Sequence, residues 1–276
     1  TAVSPIFAIS QHCNDNRAMQ SIAIAGQKGG SGRSSSTYAI GSALVELGKR
    51  VLMVDCDPQA SLTAACDVDG SGESLAEVMG GADAGQMPIT AVLYEVVSGL
   101  DLVPSDIALA SSELGMVMRM GRENVLKSVL AAVNHSYDFA LLDCPPSLGL
   151  MTINALVAAT GVVVPIQPQT NDIRALRLFI DTLEKVKGAG LNPDIELIGI
   201  LPTLVDDRLI HHKEALQILE QSGLAMMPVT IARSVKVAEA AAGGVSIIQY
   251  DPNHKISNAY RQVAKELIGW QRRRRL

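Results

Sequence analysis

The stretch from Ile22 to Thr37 constrains the fold of this chain more than any other. It reads IAIAGQKGGSGRSSST, a short β-branched run, a loop containing Gly29, Gly30 and Gly32, and then four hydroxyl residues. Glycines let successive backbone N–H groups converge on one anion, and a helix that begins near Ser34 adds its positive dipole end. The pattern predicts a strand, a phosphate-binding loop and a helix. The alternative, a flexible Gly/Ser turn, is disfavoured because a strand and a helix flank the loop.

The composition indicates what surrounds this loop. Of the 276 residues, 48% are hydrophobic and only 3% are aromatic, so the core is built mainly from aliphatic side chains and methionine. Such a core suits a parallel sheet covered by Ala-rich helices. The length suits one large α/β unit.

Two acidic motifs follow runs that predict buried strands. The run 51–54 leads into Asp55-Cys56-Asp57-Pro58-Gln59, and the run 138–142 leads into Asp143-Cys144-Pro145-Pro146-Ser147. Because α/β folds place their chemistry at the carboxyl ends of parallel strands, acids at these positions suit Mg²⁺ binding and the orientation of an attacking water. For the first motif, ordinary turn acids before a proline are the alternative.

These motifs, in this order, resemble the deviant P-loop of the ParA/MinD family of ATPases. The loop matches K-G-G-x-G-[KR]-[ST]-[ST], with Lys28 as the early lysine, and the acidic segments match D-x-D-P-Q-x-x-x-T and D-x-P-P-S. The resemblance runs from Ser21 to Ile268 and is nearest to Soj-like ParA partition ATPases. It implies an α/β fold of the SIMIBI type of P-loop NTPase, a mostly parallel, doubly wound sheet of seven or eight strands with helices on both faces.

The resemblance also implies a domain organisation and a set of site residues. The expected domains are an N-terminal extension, 1–19, a single ATPase domain, 20–270, and a basic C-terminal tail, 271–276. The expected cofactors are ATP and Mg²⁺. The catalytic residues would be Asp57, which positions the attacking water, and Lys28, which crosses a nucleotide-sandwich homodimer to the phosphates of the partner. The residues expected to bind the nucleotide are Lys28, Gly29, Gly30, Ser31, Gly32, Arg33, Ser34, Ser35, Thr203, Ala232 and Ser234.

The remaining assignments concern the metal and the nucleic acid. Magnesium is assigned to Ser34, Asp55 and Asp143, with Asp55 supporting the shell of the ion. Non-specific DNA is assigned to three basic residues of the C-terminal region, which are Arg208, Arg233 and Lys236.

The chain departs from the family pattern at several of these positions. Arg33 replaces the second lysine of the loop, and a planar, forked guanidinium is not equivalent to a compact ammonium at a tight phosphate site. We therefore expect robust nucleotide binding and slow hydrolysis; a nucleotide-binding switch with negligible turnover is the alternative. Ala232 and Ser234 replace a Pro and an Asn beside the base. Gln169 and Ala175 replace a Glu and a Gly in a region that contacts the dimer partner in relatives.

The distribution of charge indicates where a polyanionic partner would bind. The net charge is −5, but residues 201–276 carry a balance of +4 and the first 200 residues a balance of −9. The resemblance implies an ATP-dependent homodimer that binds non-specific DNA, with hydrolysis stimulated by a ParB-type centromere-binding partner, in plasmid or chromosome partition. The alternatives are a ParA-like positioner of another cargo and a MinD-like membrane-surface ATPase that uses the segment 270–276. The arginines of that segment could contact the phosphates of DNA or of anionic lipid, or they could form a solvated tail.

The cysteines and the apolar runs indicate the compartment. Cys13, Cys56, Cys66 and Cys144 have no C-x-x-C spacing, which favours free thiols in a reducing environment. Neither a membrane-spanning run nor a signal-peptide pattern is found. We expect a cytoplasmic, nucleoid-associated protein and no membrane partner.

Overall fold

The computed structural model describes residues 18–69, 72–80 and 87–274. The predicted extension, 1–19, therefore lies outside the described residues except for its last two. Seven strands are found in the described part of the chain, and six of them are parallel. They are β1 (Gln20–Ile24), β2 (Val51–Asp55), β3 (Tyr94–Val97), β4 (Leu100–Val103), β5 (Phe139–Asp143), β6 (Gly161–Ile166) and β7 (Glu196–Pro202).

The strands form one sheet in the order β3-β4-β2-β5-β1-β6-β7. Only the edge strand β3 is antiparallel, paired with β4. The central strands are buried on both faces, as expected for a parallel sheet covered by helices. The predicted α/β class and the mostly parallel sheet are confirmed.

Helices cover both faces of the sheet. In chain order they are α1 (Arg33–Glu46), α2 (Ser61–Ala65), α3 (Leu75–Met79), α4 (Ala108–Met116), α5 (Val125–Ala131), α6 (Leu150–Ala158), α7 (Thr170–Gly188), α8 (Ile210–Glu220), α9 (Val235–Ala242), α10 (Ile247–Tyr250) and α11 (Lys255–Arg274). Two separate apolar clusters follow from this arrangement, because alternate strand residues point to opposite faces. Leu52 and Val54 join the cluster with α3 to α7, whereas Val51 and Met53 join the cluster with α1 and α11.

The C-terminal helix differs from the expectation of a basic tail after residue 270. Helix α11 continues to Arg274 because the side chains of Trp270 and Gln271 are buried against the sheet. Trp270 Nε1 donates to Glu196 Oε2 at 2.7 Å, and Arg274 donates to the carbonyl of Asp194 at 3.0 Å. Residues 271–274 are therefore part of the packed helix, and 275–276 lie outside the described residues.

Other expectations of the sequence are met or corrected in detail. A 3-10 turn over Arg122–Asn124 lies between helices α4 and α5. Cys56, Cys66 and Cys144 are buried free thiols, and Cys13 lies outside the described residues. None of the helices in the described part of the chain has both the length and the apolar character needed to cross a bilayer.

Candidate functional site

The loop between β1 and α1 has the geometry of an anion cradle. Gly30 and Gly32 adopt left-handed φ values of 75° and 76°, a conformation that glycine adopts without the steric cost of a side chain. Gly32 is the N-cap of α1, and no side chain in the described chain caps this helix end. The first backbone N–H groups of α1 are therefore available to an anion, with the positive end of the helix dipole behind them.

Arg33 lies under this loop and is almost fully buried. Its Nε donates to the carbonyl of Cys144 at 3.0 Å, and its Nη1 donates to the carbonyls of Gly26, at 3.2 Å, and of Lys28. The guanidinium thus ties the loop to the segment that follows β5.

The first acidic motif is organised around Asp55 at the end of β2. Asp55 is fully buried, and its two carboxylate oxygens accept the N–H of Asp57 at 3.1 Å and both the N–H and the hydroxyl of Thr63, at 2.9 and 2.8 Å. Burial raises the pKa of Asp55, while the hydrogen bonds from Thr63 and Asp57 oppose that rise. Asp55 therefore shapes the loop that presents Asp57, and its oxygens are already paired.

Asp143, in register with Asp55 on the neighbouring strand β5, is different. Its Oδ2 is buried and has no hydrogen-bond partner among the described residues, while Oδ1 accepts the hydroxyl of Thr37 at 3.4 Å. Burial, followed by the charge of Asp55, raises the pKa of Asp143, against a hydrogen bond from Ser34. An unpaired buried carboxylate oxygen destabilises the fold unless a cation or proton compensates it.

The residues around Asp143 fit magnesium bound together with phosphate. Mg²⁺ prefers hard oxygen ligands, takes few of them from the protein and completes its shell with water and phosphate oxygens. The orphaned oxygen of Asp143 and the hydroxyl of Ser34 are hard oxygens of this kind. The described residues contain no group of three or more His, Cys, Asp or Glu side chains placed to hold an ion by themselves.

Lys28 is bound within its own subunit. Its Nζ pairs with the buried carboxylate of Asp172, in the first turn of α7, and donates to Gln169 Oε1 at 3.3 Å. The side chain is still 39% exposed. Sequence reasoning did not identify Asp172, because an acid in the first turn of a helix is common and the contact spans 144 positions of the chain.

The predicted base-binding residues lie in the segments that follow β7 and precede α9. Thr203 Oγ1 donates to the carbonyl of Ser31 at 2.7 Å, which joins the end of β7 to the phosphate loop. Val205 pairs with Ala232 in an isolated bridge, and Ser234 caps α9 through the N–H of Lys236. A cavity of about 300 Å³ opens beside this bridge, lined by Val205, Asp206, Asp207, Arg208, Ala232, Arg233 and Lys255. Thr203 thus contacts the loop, and Ala232 pairs with the segment that follows Thr203, whereas the hydroxyl of Ser234 is engaged in its helix cap.

Of the three predicted DNA-binding residues, Arg208 and Arg233 line this cavity and Lys236 lies in the first turn of α9. Arg208 is 88% exposed and is bidentate to Asp206, with Nη2 2.7 Å from Oδ2. Lys236 pairs with Glu239 at 3.1 Å and lies over the ring of Tyr250. Neighbouring acids therefore partly neutralise this surface.

Comparisons with known proteins agree with the geometry of the loop and the strand ends. The profile of the AAA domain family matches residues 19–197. Soj, the sporulation initiation inhibitor protein of Bacillus subtilis, is 36% identical over 252 residues, which cover 89% of this chain and 97% of Soj. The chromosome partitioning protein ParA of Caulobacter vibrioides is 33% identical over 259 residues, covering 92% of this chain and 95% of that protein.

A solved structure is similar over nearly the whole chain. It is the cobyrinic acid a,c-diamide synthase of Mycobacterium smegmatis with bound ADP and magnesium, with a TM-score of 0.80 and 35% identity over 92% of this chain and 96% of that one. The family match covers the loop and both acidic motifs, and the two relatives each align with about nine tenths of the chain. The chain therefore belongs to the AAA domain family and, with Soj and ParA, to the ParA/MinD family of P-loop ATPases.

Proposed function

We propose that this chain is a ParA-type partition ATPase that binds ATP and Mg²⁺ and hydrolyses ATP slowly. The observation that supports the proposal best is the meeting of two groups at one edge of the sheet. These groups are the uncapped start of α1 behind the glycine loop and the orphaned oxygen of Asp143. An anion that carries a divalent cation satisfies both at once.

In this proposal the phosphates bind at Gly29 to Ser35 and the base enters the cavity beside Ala232. Ser34 and Asp143 would hold the magnesium ion, which would neutralise charge on the phosphates. Asp57 positions the attacking water, since phosphoryl transfer needs an oriented water more than a strong base. The similar solved structure contains ADP in one form and an ATP analogue in another, each with magnesium, which supports this arrangement.

The cycle that we propose uses Lys28 twice. In the single chain Lys28 pairs with Asp172, and in the ATP-bound homodimer it would leave Asp172 for the phosphates of the partner. The dimer would then bind non-specific DNA of the nucleoid through Arg208, Arg233 and Lys236, and a ParB-type protein would stimulate hydrolysis and release. Slow turnover follows from Arg33, whose bonds to the loop and to Cys144 restrain it.

A MinD-like role at a membrane surface has less support. The MinD-like alternative needs exposed apolar side chains at the end of the chain. Trp270 is buried and bonded to Glu196, so it is not available to lipid. We therefore favour DNA as the surface on which the protein acts.

ATP hydrolysis and DNA binding by the purified chain test the proposal together. We expect slow Mg²⁺-dependent hydrolysis, and DNA binding that requires ATP and falls steeply with salt, because phosphate contacts release counterions. Equal DNA binding with and without nucleotide would contradict the partition cycle. The similarity to the cobyrinic acid a,c-diamide synthase defines the competing result. In that case ATP consumption would depend on cobyrinic acid and would not change when DNA is added.

A further inference from the structure

His212 lies in the first turn of α8 and is only 2% exposed. Its Nδ1 accepts the backbone N–H of Asp206 at 3.1 Å. Because an amide N–H only donates, Nδ1 carries no proton and the neutral ring holds its proton on Nε2. That Nε2 is buried and has no hydrogen-bond partner among the residues that the structure describes. An unpaired buried donor is unfavourable, so the hydrogen bond from Asp206 is the polar contact that offsets the cost of burying this ring.

The bond fixes the start of the turn 206–208. Just before the turn, Leu204 has a φ of 53°, a left-handed conformation that non-glycine residues rarely adopt. Both backbone groups of Val205 are hydrogen-bonded: its N–H donates to the carbonyl of Ile231, and its carbonyl accepts the N–H of Arg233. The next N–H, that of Asp206, is the one that His212 accepts. The ring therefore holds the backbone one residue beyond the hydrogen bonds of Val205.

The turn is one wall of the cavity that also has Ala232, Arg233 and Lys255 in its lining. Asp206, Asp207 and Arg208 are three of the seven residues that line it. The carboxylate of Asp206 accepts the N–H of Arg208 at 3.1 Å and both forks of its guanidinium, so the position of Asp206 also sets that of Arg208. Moving the backbone of Asp206 would change the shape of the cavity and the direction of Arg208 together.

We propose that His212 is a positioning residue for nucleotide binding, whose neutral ring fixes the turn 206–208 against the cavity and so sets the affinity for the nucleotide base. The inference rests on the proposed function, because it requires the base to occupy that cavity. Protonation of the ring at Nδ1 would turn the acceptor into a donor that faces the N–H of Asp206. The anchor is therefore present only while His212 is neutral.

The surroundings of the ring keep it neutral near pH 7. The titratable and charged groups that face it are His211 on its own helix, Asp206 in the preceding turn and Arg233 in the segment before α9. Burial, followed by the charge of His211, lowers the pKa of His212 from 6.5, with Arg233 acting in the same direction and Asp206 opposing it. The folded state thus favours the neutral ring, and the anchor is lost as the pH falls below the usual range of histidine.

The test compares three variants of the full chain. His212→Ala removes the acceptor, His212→Asn keeps an oxygen near the place of Nδ1, and Lys213→Ala changes an exposed residue of the same helix as a control. We expect His212→Ala to weaken the Kd for Mg-ATP and raise KM about tenfold with kcat changed less than about twofold. His212→Asn should recover most of the affinity, and Lys213→Ala should leave it unchanged. Calorimetry with Mg-ATP and steady-state hydrolysis give the two readings.

A pH series distinguishes positioning from a purely structural effect. As the pH falls from about 6.5 toward 5, the affinity of the wild type should fall more steeply than that of His212→Asn, whose amide does not titrate in this range. Parallel pH profiles, or wild-type affinity in a folded His212→Ala variant, would overturn the inference while leaving the proposed function in place. Failure of the wild type itself to bind Mg-ATP would overturn the proposed function as well.

Discussion

The phosphate end of the site and the basic C-terminal surface hold their charges in opposite ways. At the phosphate end, Asp55 and Asp143 are buried, and every oxygen of Asp55 is paired inside the protein. At the C-terminal surface, Arg208 is largely exposed and Lys236 is half-buried, and each pairs with one neighbouring acid. Salt screens exposed charges strongly and buried charges little. A substitution at the phosphate end should therefore change the folded protein itself, whereas one at the surface should change a salt-sensitive contact.

Asp143 provides the largest expected effect on the buried side of this comparison. Asp143→Asn removes the charge that would hold magnesium, so we expect kcat for ATP hydrolysis to fall by about a hundredfold or more. The same change should raise the free energy of unfolding of the nucleotide-free protein by about 1 kcal/mol or more, because burial and the charge of Asp55 disfavour the ionised form of Asp143. Hydrolysis at saturating Mg-ATP and thermal unfolding without nucleotide measure the two effects.

Asp101 offers a matched control for that experiment. It lies near the amino end of β4, where burial also raises its pKa and the hydroxyl of Tyr137 donates to it. Asp101→Asn should leave kcat close to that of the wild type. A normal rate for Asp143→Asn, or a nucleotide-free variant that is less stable than the wild type, would show that Asp143 is not an uncompensated cation ligand.

The parts of this site that the sequence predicts are those encoded by consecutive residues. The glycine loop follows from local backbone geometry, and Asp55 and Asp143 meet because the carboxyl ends of parallel strands share one edge of the sheet. Contacts across the chain could not be predicted in this way. The pairing of Lys28 with Asp172 and the bond from Thr203 to Ser31 depend on how distant elements pack around the loop.

The edges of the fold were harder to predict for a related reason. The antiparallel strand β3 (Tyr94–Val97) is partly exposed and short, so it lacks the continuous apolar run that identifies the central strands. The sequence does not predict that α11 continues past residue 270, because a run of arginines is typical of a solvent-exposed tail. Trp270 and Gln271 pack inward all the same, since one face of a helix can be buried while charged stems lie along the surface.

Arg33→Lys should sharpen the comparison from within the phosphate loop. The ammonium cannot reproduce the fork that binds Cys144, Gly26 and Lys28, so it is released to follow the transferring phosphate. We expect kcat to rise about tenfold and the melting temperature to fall by a few degrees, because buried hydrogen bonds are lost. Arg33→Ala is the control and should lower both. An unchanged or lower rate for the lysine variant would exclude Arg33 as the cause of slow turnover.

Asp172 separates the cis contact of Lys28 from its proposed contact with a second subunit. Asp172→Asn removes the ion pair that retains Lys28 in its own chain, and we expect the dimer fraction at subsaturating ATP to rise about fivefold. Analytical ultracentrifugation with and without ATP measures this fraction. Asp181→Asn, an exposed change on the same helix, should have no effect. If Asp172→Asn behaves like that control, the pairing within the chain does not oppose dimerisation.

Lys236 and Glu239 test the exposed side of the comparison and should give the smallest effects. Lys236→Gln removes one cation from the proposed DNA surface, so affinity for a DNA duplex in the presence of ATP should fall about threefold and the salt slope by about 1. Glu239→Gln leaves Lys236 in place but removes its partner at 3.1 Å, so affinity should rise about twofold at low salt. Fluorescence anisotropy across a series of salt concentrations measures both slopes.

Glutamine at position 239 isolates the effect of the charge. Glu239 also accepts the hydroxyl of Tyr250 at 3.0 Å, and the glutamine can still accept that hydrogen bond. Identical slopes for the two variants would mean that DNA binds elsewhere on the protein.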